Sequence, residues 1–204
     1  MSGRRPGRRA TEYLSIRHIN ELQAAFEFAE WIELPLNLFV TIAWIHTDAV
    51  QDPDGRLLAA LLERVRKMFL RRDITPAFLW VREWQPGRYG MNDHAHILIH
   101  IPVAFFERNR LKHITEIFER QLVNVAGDHG DRALRLKRWT YGGAQYLVKG
   151  CRPEVRDQLR LPSHRSCEQG TITGKRSAAS QNLGPAARRR FWADLNGAPA
   201  RKAG

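Results

Sequence analysis

Two histidines separated by one residue, His94 and His96, open the run HAHILIHIP (94–102). The run is rich in isoleucine and ends at a proline, which predicts a β-strand. Because successive side chains on a strand point to opposite faces, both imidazoles leave one face, and Ile97 and Ile99 leave the other. Two imidazoles on one face are able to bind a single metal ion. The alternative is that these histidines are structural or face solvent.

A carboxylate is expected close to this histidine pair. Glu83 ends the predicted strand AFLWVREW (77–84), and a glycine-containing loop leads from it to His94. A hairpin would place the Glu83 carboxylate beside the imidazoles, whereas Asp93 should face away from them. Two histidines and one carboxylate suit Mg²⁺ or Mn²⁺, and zinc is a further alternative. Taken alone, Glu83 is equally well explained as a solvated acid near a turn.

A tyrosine with a lysine three residues later follows about fifty residues on. Tyr146 and Lys149 lie in AQYLVKG (144–150), where helical spacing would place them on one face. A tyrosine becomes a covalent nucleophile when a nearby cation favours its phenolate form. Tyr141 would be the nucleophile if the helical register differed. The alternative is an ordinary amphipathic helix with a half-buried tyrosine.

Hydrophobic periodicity predicts the elements that position these residues. Three helices and two strands are expected in addition to the strands that carry Glu83 and the histidines. The helices are expected over 13–33, 57–69 and 105–125, and the strands over 38–44 and 134–139. A turn, and no crossover helix, joins the strands near 77–102. The sequence therefore predicts an α+β fold in which helices pack on an antiparallel sheet, in the split β-α-β style of ferredoxin-like and RRM-like domains.

Taken together, these motifs resemble the HUH endonuclease superfamily, in particular the rolling-circle replication initiators, or Rep proteins. The run WVREWQPGRYGMNDHAHILIHIP (80–102) is similar to the second motif of that family with its upstream acid, and QYLVKG (145–150) is similar to the tyrosine motif. The resemblance implies histidines on a central strand, a tyrosine helix across the sheet, and cleavage of single-stranded DNA through a 5′-phosphotyrosine. A single-tyrosine HUH transposase and a non-catalytic nucleic-acid-binding domain are the alternatives.

The charge of the chain is concentrated near its C-terminus. The protein has 204 residues and a net charge of +12, which points to a polyanionic partner. Residues 135–204 contain 15 Lys and Arg against four Asp and Glu, a net charge of +11. We expect a flexible basic arm over 1–12, a nuclease domain over 13–150 and a basic extension over 151–204. The predicted DNA contacts are Arg135, Lys137, Arg138, Lys175, Arg176, Arg188, Arg189 and Arg190.

Two readings are open for a short helix predicted over 185–195. Its arginines contact phosphates while Phe191 and Trp192 stack on unpaired bases. Alternatively, the helix packs those aromatic residues onto the domain and its arginines are solvated.

Composition also indicates the cellular setting of the protein. The longest apolar stretch, 34–45, is too short to cross a bilayer, and two cysteines do not support a disulfide framework. We therefore expect a cytoplasmic protein in a bacterial or viral setting with no membrane partner. Because fewer than sixty residues follow the tyrosine motif, a nicking enzyme of this kind would need a host helicase besides its single-stranded DNA.

Overall fold

A computed structural model describes residues 10–87, 90–140, 145–148, 150–158 and 170–197. Its helices and strands are β1 (Ala10–Thr11), α1 (Ile16–Trp31), β2 (Leu36–Ala43), α2 (Arg56–Leu70), β3 (Phe78–Gly87), β4 (Gly90–His100), α3 (Val103–Arg108), α4 (Leu111–Ala126), β5 (Leu134–Arg138), α5 (Pro153–Gln158), β6 (Ile172–Thr173), β7 (Ser177–Ala179) and α6 (Pro185–Leu195). Short 3₁₀ helices span Trp44–His46, Gln145–Val148 and Gln181–Leu183.

The main sheet has five strands in the order β5-β2-β4-β3-β7, and every neighbouring pair is antiparallel. Strands β2 and β3 are thus parallel to each other on either side of β4, and α2 connects them. Strands β4 and β5 are related in the same way around β2, with α3 and α4 in the connection. These are two split β-α-β units, so the predicted α+β fold with an antiparallel sheet is confirmed.

Alternation along the strands produces a core on each face of the sheet. One core combines β2 and β4 side chains such as Val40 and Ile97 with α2 and α4. The other contains Phe39 and Leu98 and packs against α1, with Ala187 and Phe191 of α6 at its edge. Because both faces of the central strands are covered by helices, these strands read as nearly continuous apolar runs.

One predicted helix differs in the structure. The helix expected over 105–125 is divided into α3 and α4, because Asn109 has an extended backbone and interrupts the helix. The C-terminal region beyond residue 150 also contributes to the domain, since β7 pairs with β3 as an edge strand of the main sheet. Residues 10 and 11 of the predicted basic arm form β1, which pairs with β6. In the part of the chain that the structure describes, no helix is long and apolar enough to cross a membrane.

A buried polar cluster anchors the start of α2 to the sheet. The Asp52 carboxylate accepts hydrogen bonds from the backbone of Leu57 and Leu58, which satisfies the first turn of the helix. The backbone N–H of Asp52 donates to Asp93 Oδ2 at 2.7 Å, and the buried Arg82 guanidinium donates to the Asp52 carbonyl. Asp93 therefore faces α2, away from the histidine side chains of its own strand, as the sequence predicted.

Burial raises the pKa of Asp93 to about 6, so this group ties stability to pH. Because the folded protein holds the proton more tightly than the unfolded chain, the contribution of Asp93 to stability is fully present below about pH 4 and is lost as the pH rises through 6. We expect Asp93→Asn to remove this decline, worth about 2–3 kcal/mol, while keeping an acceptor for the Asp52 N–H. Urea unfolding of both proteins between pH 4 and 8 measures this pH dependence of stability. Parallel pH profiles for the wild-type protein and the variant would contradict the prediction.

Candidate functional site

Strand β4 places His94 and His96 on the same face of the sheet, near its centre. In the register of the sheet, His94 lies between Ala43 of β2 and Glu83 of β3, and His96 lies in the next row between Thr41 and Val81. This face carries the core packed against α1 and α6. The predicted orientation of the histidines and the hairpin that brings Glu83 beside them are both present.

His96 is held at both ring nitrogens. Its Nε2 lies 3.2 Å from Glu83 Oε2, and its Nδ1 lies 3.1 Å from the Thr41 hydroxyl. Both His96 and Glu83 are almost fully buried, with 4% and 1% of their surface exposed. Sequence reasoning missed Thr41, although it is the one hydroxyl-bearing residue in the apolar run LFVTIAW (38–44). Thr41 fixes the orientation of the His96 ring.

Arg176 lies behind Glu83 and is as deeply buried, at 1% exposure. Its guanidinium donates to the carbonyls of Thr11 and Gly170. Burial lowers the pKa of Arg176 to about 10, and the attraction of the Glu83 carboxylate opposes that fall, so the side chain stays charged at neutral pH. The sequence predicted Arg176 as a DNA contact, but its position inside the protein assigns it to the support of Glu83.

His94 is half-buried and is oriented by its own strand. Its Nδ1 lies 3.1 Å from the Asn92 carbonyl oxygen, which requires the proton on Nδ1 and leaves the lone pair of the neutral ring on Nε2. The His94 and His96 rings are nearly parallel, at an interplanar angle of 8° with centroids 6.3 Å apart. The tautomer is therefore the one in which Nε2 acts as a ligand.

The three predicted ligands fit a divalent ion in chemical type and partly in geometry. The 3.2 Å between His96 Nε2 and Glu83 Oε2 is what two adjacent ligands at about 2.1 Å from one ion require. The His94 side chain does not point to the same position as these two ligands. Among the described residues, no three His, Cys, Asp or Glu side chains are close enough to bind one ion. A rotation of the His94 side chain would be needed to complete the set.

The tyrosine motif lies on a short 3₁₀ helix, Gln145–Val148, and not on an α-helix. Leu147 and Val148 are buried in the core on the histidine face, so this segment is anchored to the same side of the sheet as the histidines. The backbone of Tyr146 lies within this helix. Lys149 and Tyr141 fall outside the residues that the structure describes.

The basic residues of β5 point to opposite faces of the sheet. Arg135 pairs with Thr41 and Lys137 with Phe39, so both lie on the histidine face. The Lys137 ammonium lies 5.0 Å from the centre of the Phe39 ring, which itself stacks on His96. Arg138 faces the other way, with its guanidinium 4.7 Å from the centre of the Phe106 ring.

A cleft of about 940 Å³ opens beside β7, on the side of Arg176. Its walls come from β1, the start of α1, α5 with the residue that precedes it, and the segment from β6 to β7. Four cations line it against one carboxylate, and they are Arg17, Arg152, Lys175 and Arg176, with Glu12 as the acid. Tyr13 lies in the same wall, with the Arg152 guanidinium 5.8 Å from its ring centre. Arg176 is buried behind the wall, whereas Arg17, Arg152 and Lys175 are exposed and, with the Tyr13 ring, are available to a polyanion.

Helix α6 packs on the domain through its aromatic residues. Phe191 meets Phe28 edge to face at 5.2 Å, and Trp192 meets Trp31 at 5.5 Å. Arg188 also contributes to this packing, because it donates hydrogen bonds to Glu21 at 2.5 Å and to the Leu183 carbonyl at 2.8 Å. For Phe191 and Arg188, the structure agrees with the interpretation in which the helix packs on the domain. Arg189 and Arg190, by contrast, are exposed.

Comparisons with known proteins add little. No protein-family model matches the chain, and no curated protein matches it. Among solved structures it is similar to the N-terminal nuclease domain of minute virus of mice non-structural protein-1, with 9% identity and a TM-score of 0.34 over 76% of this chain and 79% of that one. That domain has a Zn²⁺ coordination in its active-site pocket and recognises DNA at the origin of replication. A TM-score this low carries no weight for function.

The arginines of α6 allow a matched test. Arg188→Ala should lower the free energy of unfolding by about 1 kcal/mol, because two hydrogen bonds between α6 and the domain are lost. Arg189→Ala with Arg190→Ala should change it by less than about 0.5 kcal/mol, since both side chains are exposed. Denaturant unfolding measures both, and equal effects would contradict the assignment of Arg188 to packing.

Proposed function

We propose that this protein is a Rep-like nickase that cuts and rejoins single-stranded DNA with the help of a divalent metal ion. The single observation that carries the proposal is the buried His96–Glu83 contact on the central strands, with His94 on the same face. A histidine and a carboxylate buried together cost folding free energy, which a purely structural role does not require.

His94, His96 and Glu83 are the residues that would hold Mg²⁺ or Mn²⁺. When bound, such an ion polarises a non-bridging oxygen of the scissile phosphate and offsets the charge that develops there. Thr41 and Arg176 are positioning residues. Thr41 holds the His96 ring by Nδ1, which leaves Nε2 available to a metal ion, and the charge of Arg176 attracts the Glu83 carboxylate.

Tyr146 is the proposed nucleophile. Its phenolate oxygen attacks phosphorus, a bond forms between them, and the bond from phosphorus to the 3′ oxygen breaks. The leaving oxygen takes up a proton to become a 3′-hydroxyl, and the 5′ end stays attached to tyrosine. A later 3′-hydroxyl reverses these steps and joins the strand. Lys149 is proposed to favour the phenolate.

The cleft beside β7 is the proposed path of the single strand next to the site. Ser177 and Ala178 of β7 line it, and β7 lies two strands from β4, roughly 10 Å away. Arg17, Arg152 and Lys175 would contact phosphates, and Tyr13 supplies a surface for stacking. A host helicase that supplies the single strand remains part of the proposal.

Covalent labelling tests the nucleophile. Incubated with Mn²⁺ and a panel of labelled single-stranded oligonucleotides, the wild-type protein should acquire label that resists denaturation, and Tyr146→Phe should not, because it lacks the attacking oxygen. Tyr141→Phe is the matched control and should keep the label. Labelling that depends on Tyr141 would show that Tyr141, and not Tyr146, is the nucleophile. A protein that binds DNA but acquires no label would favour a non-catalytic nucleic-acid-binding domain.

The metal site is tested with variants that keep the fold. His94→Ala should abolish nicking and leave DNA affinity largely unchanged, because the histidine serves the ion and not phosphate attraction. Thr41→Val, which removes only the hydroxyl contact to His96, should weaken Mn²⁺ binding by about 10- to 100-fold in calorimetry. His113→Ala on α4, an exposed histidine, is the control. Full nicking activity in chelator would contradict the metal-dependent mechanism.

A further inference from the structure

A second group of cations lies on the opposite side of the molecule, where α2 packs beside α4. The two helices form a groove of about 400 Å³ on their outer surface. Five exposed cations line it, and they are Arg64, Lys67, Arg71, Arg72 and Arg120. Its floor is made of Met68 and Ile117, which are buried in the core beneath it.

The cations form a stripe along one helix wall. Arg64, Lys67 and Arg71 recur at helical spacing on one side of α2 and its C-terminus, so the stripe is about 10 Å long. Arg120 faces it from the middle of α4, with Gln121 adding an amide in the next position. None of the residues described as lining the groove is acidic.

Helix stability alone does not account for this clustering. Cations in the last turn of a helix interact favourably with its dipole, which explains Lys67 and Arg71. It does not explain Arg64, one turn earlier, or Arg120, which lies well before the end of α4 at Ala126. The nearby carboxylate of Glu63 is engaged by Arg66 at 2.7 Å and by Lys67 at 3.4 Å. Most of the positive charge of the groove is therefore presented to solvent.

We propose that this groove binds the phosphate backbone of double-stranded DNA. Neutralisation of phosphates by clustered Lys and Arg supplies sequence-independent affinity for DNA. Proteins that hold single strands also offer aromatic rings for base stacking, and the described lining of the groove contains none. The contrast with the cleft beside β7, which includes Tyr13, points to a duplex here, whose bases are already stacked within it.

The groove is separate from the candidate nicking site. It lies on the α2 and α4 side of the sheet, whereas His94 and His96 face α1 and α6. The proposal does not rest on catalysis, and duplex binding would remain if the nicking reaction were disproved. It also adds a basic surface to the first 134 residues, whose net charge is only +1 once the +11 of residues 135–204 is taken from +12.

The test compares two triple variants with the same loss of charge. Arg64→Ala/Arg71→Ala/Arg120→Ala removes groove cations, and Arg110→Ala/Lys112→Ala/Arg132→Ala removes equally exposed cations that do not line the groove. Binding of a labelled 20-base-pair duplex is measured by fluorescence anisotropy, in chelator to prevent cleavage, between about 50 and 200 mM salt. The same measurement is made with one of the single strands. Circular dichroism verifies that both variants are folded.

The groove variant should reduce the slope of log affinity against log salt on the duplex by about two to three, close to 0.9 for each lost phosphate contact. The control variant should change that slope by less than about one. Equal losses in both variants would show a general effect of net charge and overturn the proposal. An unchanged slope in the groove variant would overturn it, as would a loss confined to the single strand.

Discussion

The burial of Glu83 is the constraint on which the rest of the structure depends. A carboxylate that is 1% exposed must be compensated, and here His96 and the buried Arg176 compensate it. Arg176 in turn needs acceptors, which are the carbonyls of Thr11 and Gly170. Residues 165 positions apart in the chain are thereby joined behind the candidate site. The compensation of one buried charge thus links β1 and the segment before β7 to a sheet whose other four strands form two split β-α-β units.

Much of the fold and the core of the site could be predicted because they depend on local periodicity. The alternation in HAHILIHIP (94–102) is a property of consecutive residues, so it indicates which side chains share a face without any knowledge of tertiary structure. The glycine-containing turn between β3 and β4 likewise fixes the hairpin that aligns Glu83 with His94. The division between α3 and α4 was missed, because Asn109 ends a helix without the proline or glycine that usually marks an end.

The roles of individual cations could not be predicted, because charge counting treats every Lys and Arg as exposed. Arg176, Arg188 and Arg138 are three different cases: one supports a buried acid, one joins two helices, and one stacks on Phe106. Each role depends on a partner far away in sequence. Thr41 was missed for the same reason, since only the pairing of β2 with β4 brings its hydroxyl to His96.

Tertiary packing also connects the two proposed DNA surfaces. The groove between α2 and α4 and the histidine face are separated by one layer of helices, roughly 10–12 Å thick, and by the sheet itself. Strand β5 forms the edge of that sheet beside α4, and its residues alternate, with Arg138 on the helix side and Arg135 and Lys137 on the histidine side. A polyanion leaving the groove around this edge would meet cations on both faces. A duplex in the groove is therefore compatible with one continuous DNA whose strands separate near β5, with the single strand crossing the histidine face to the cleft beside β7.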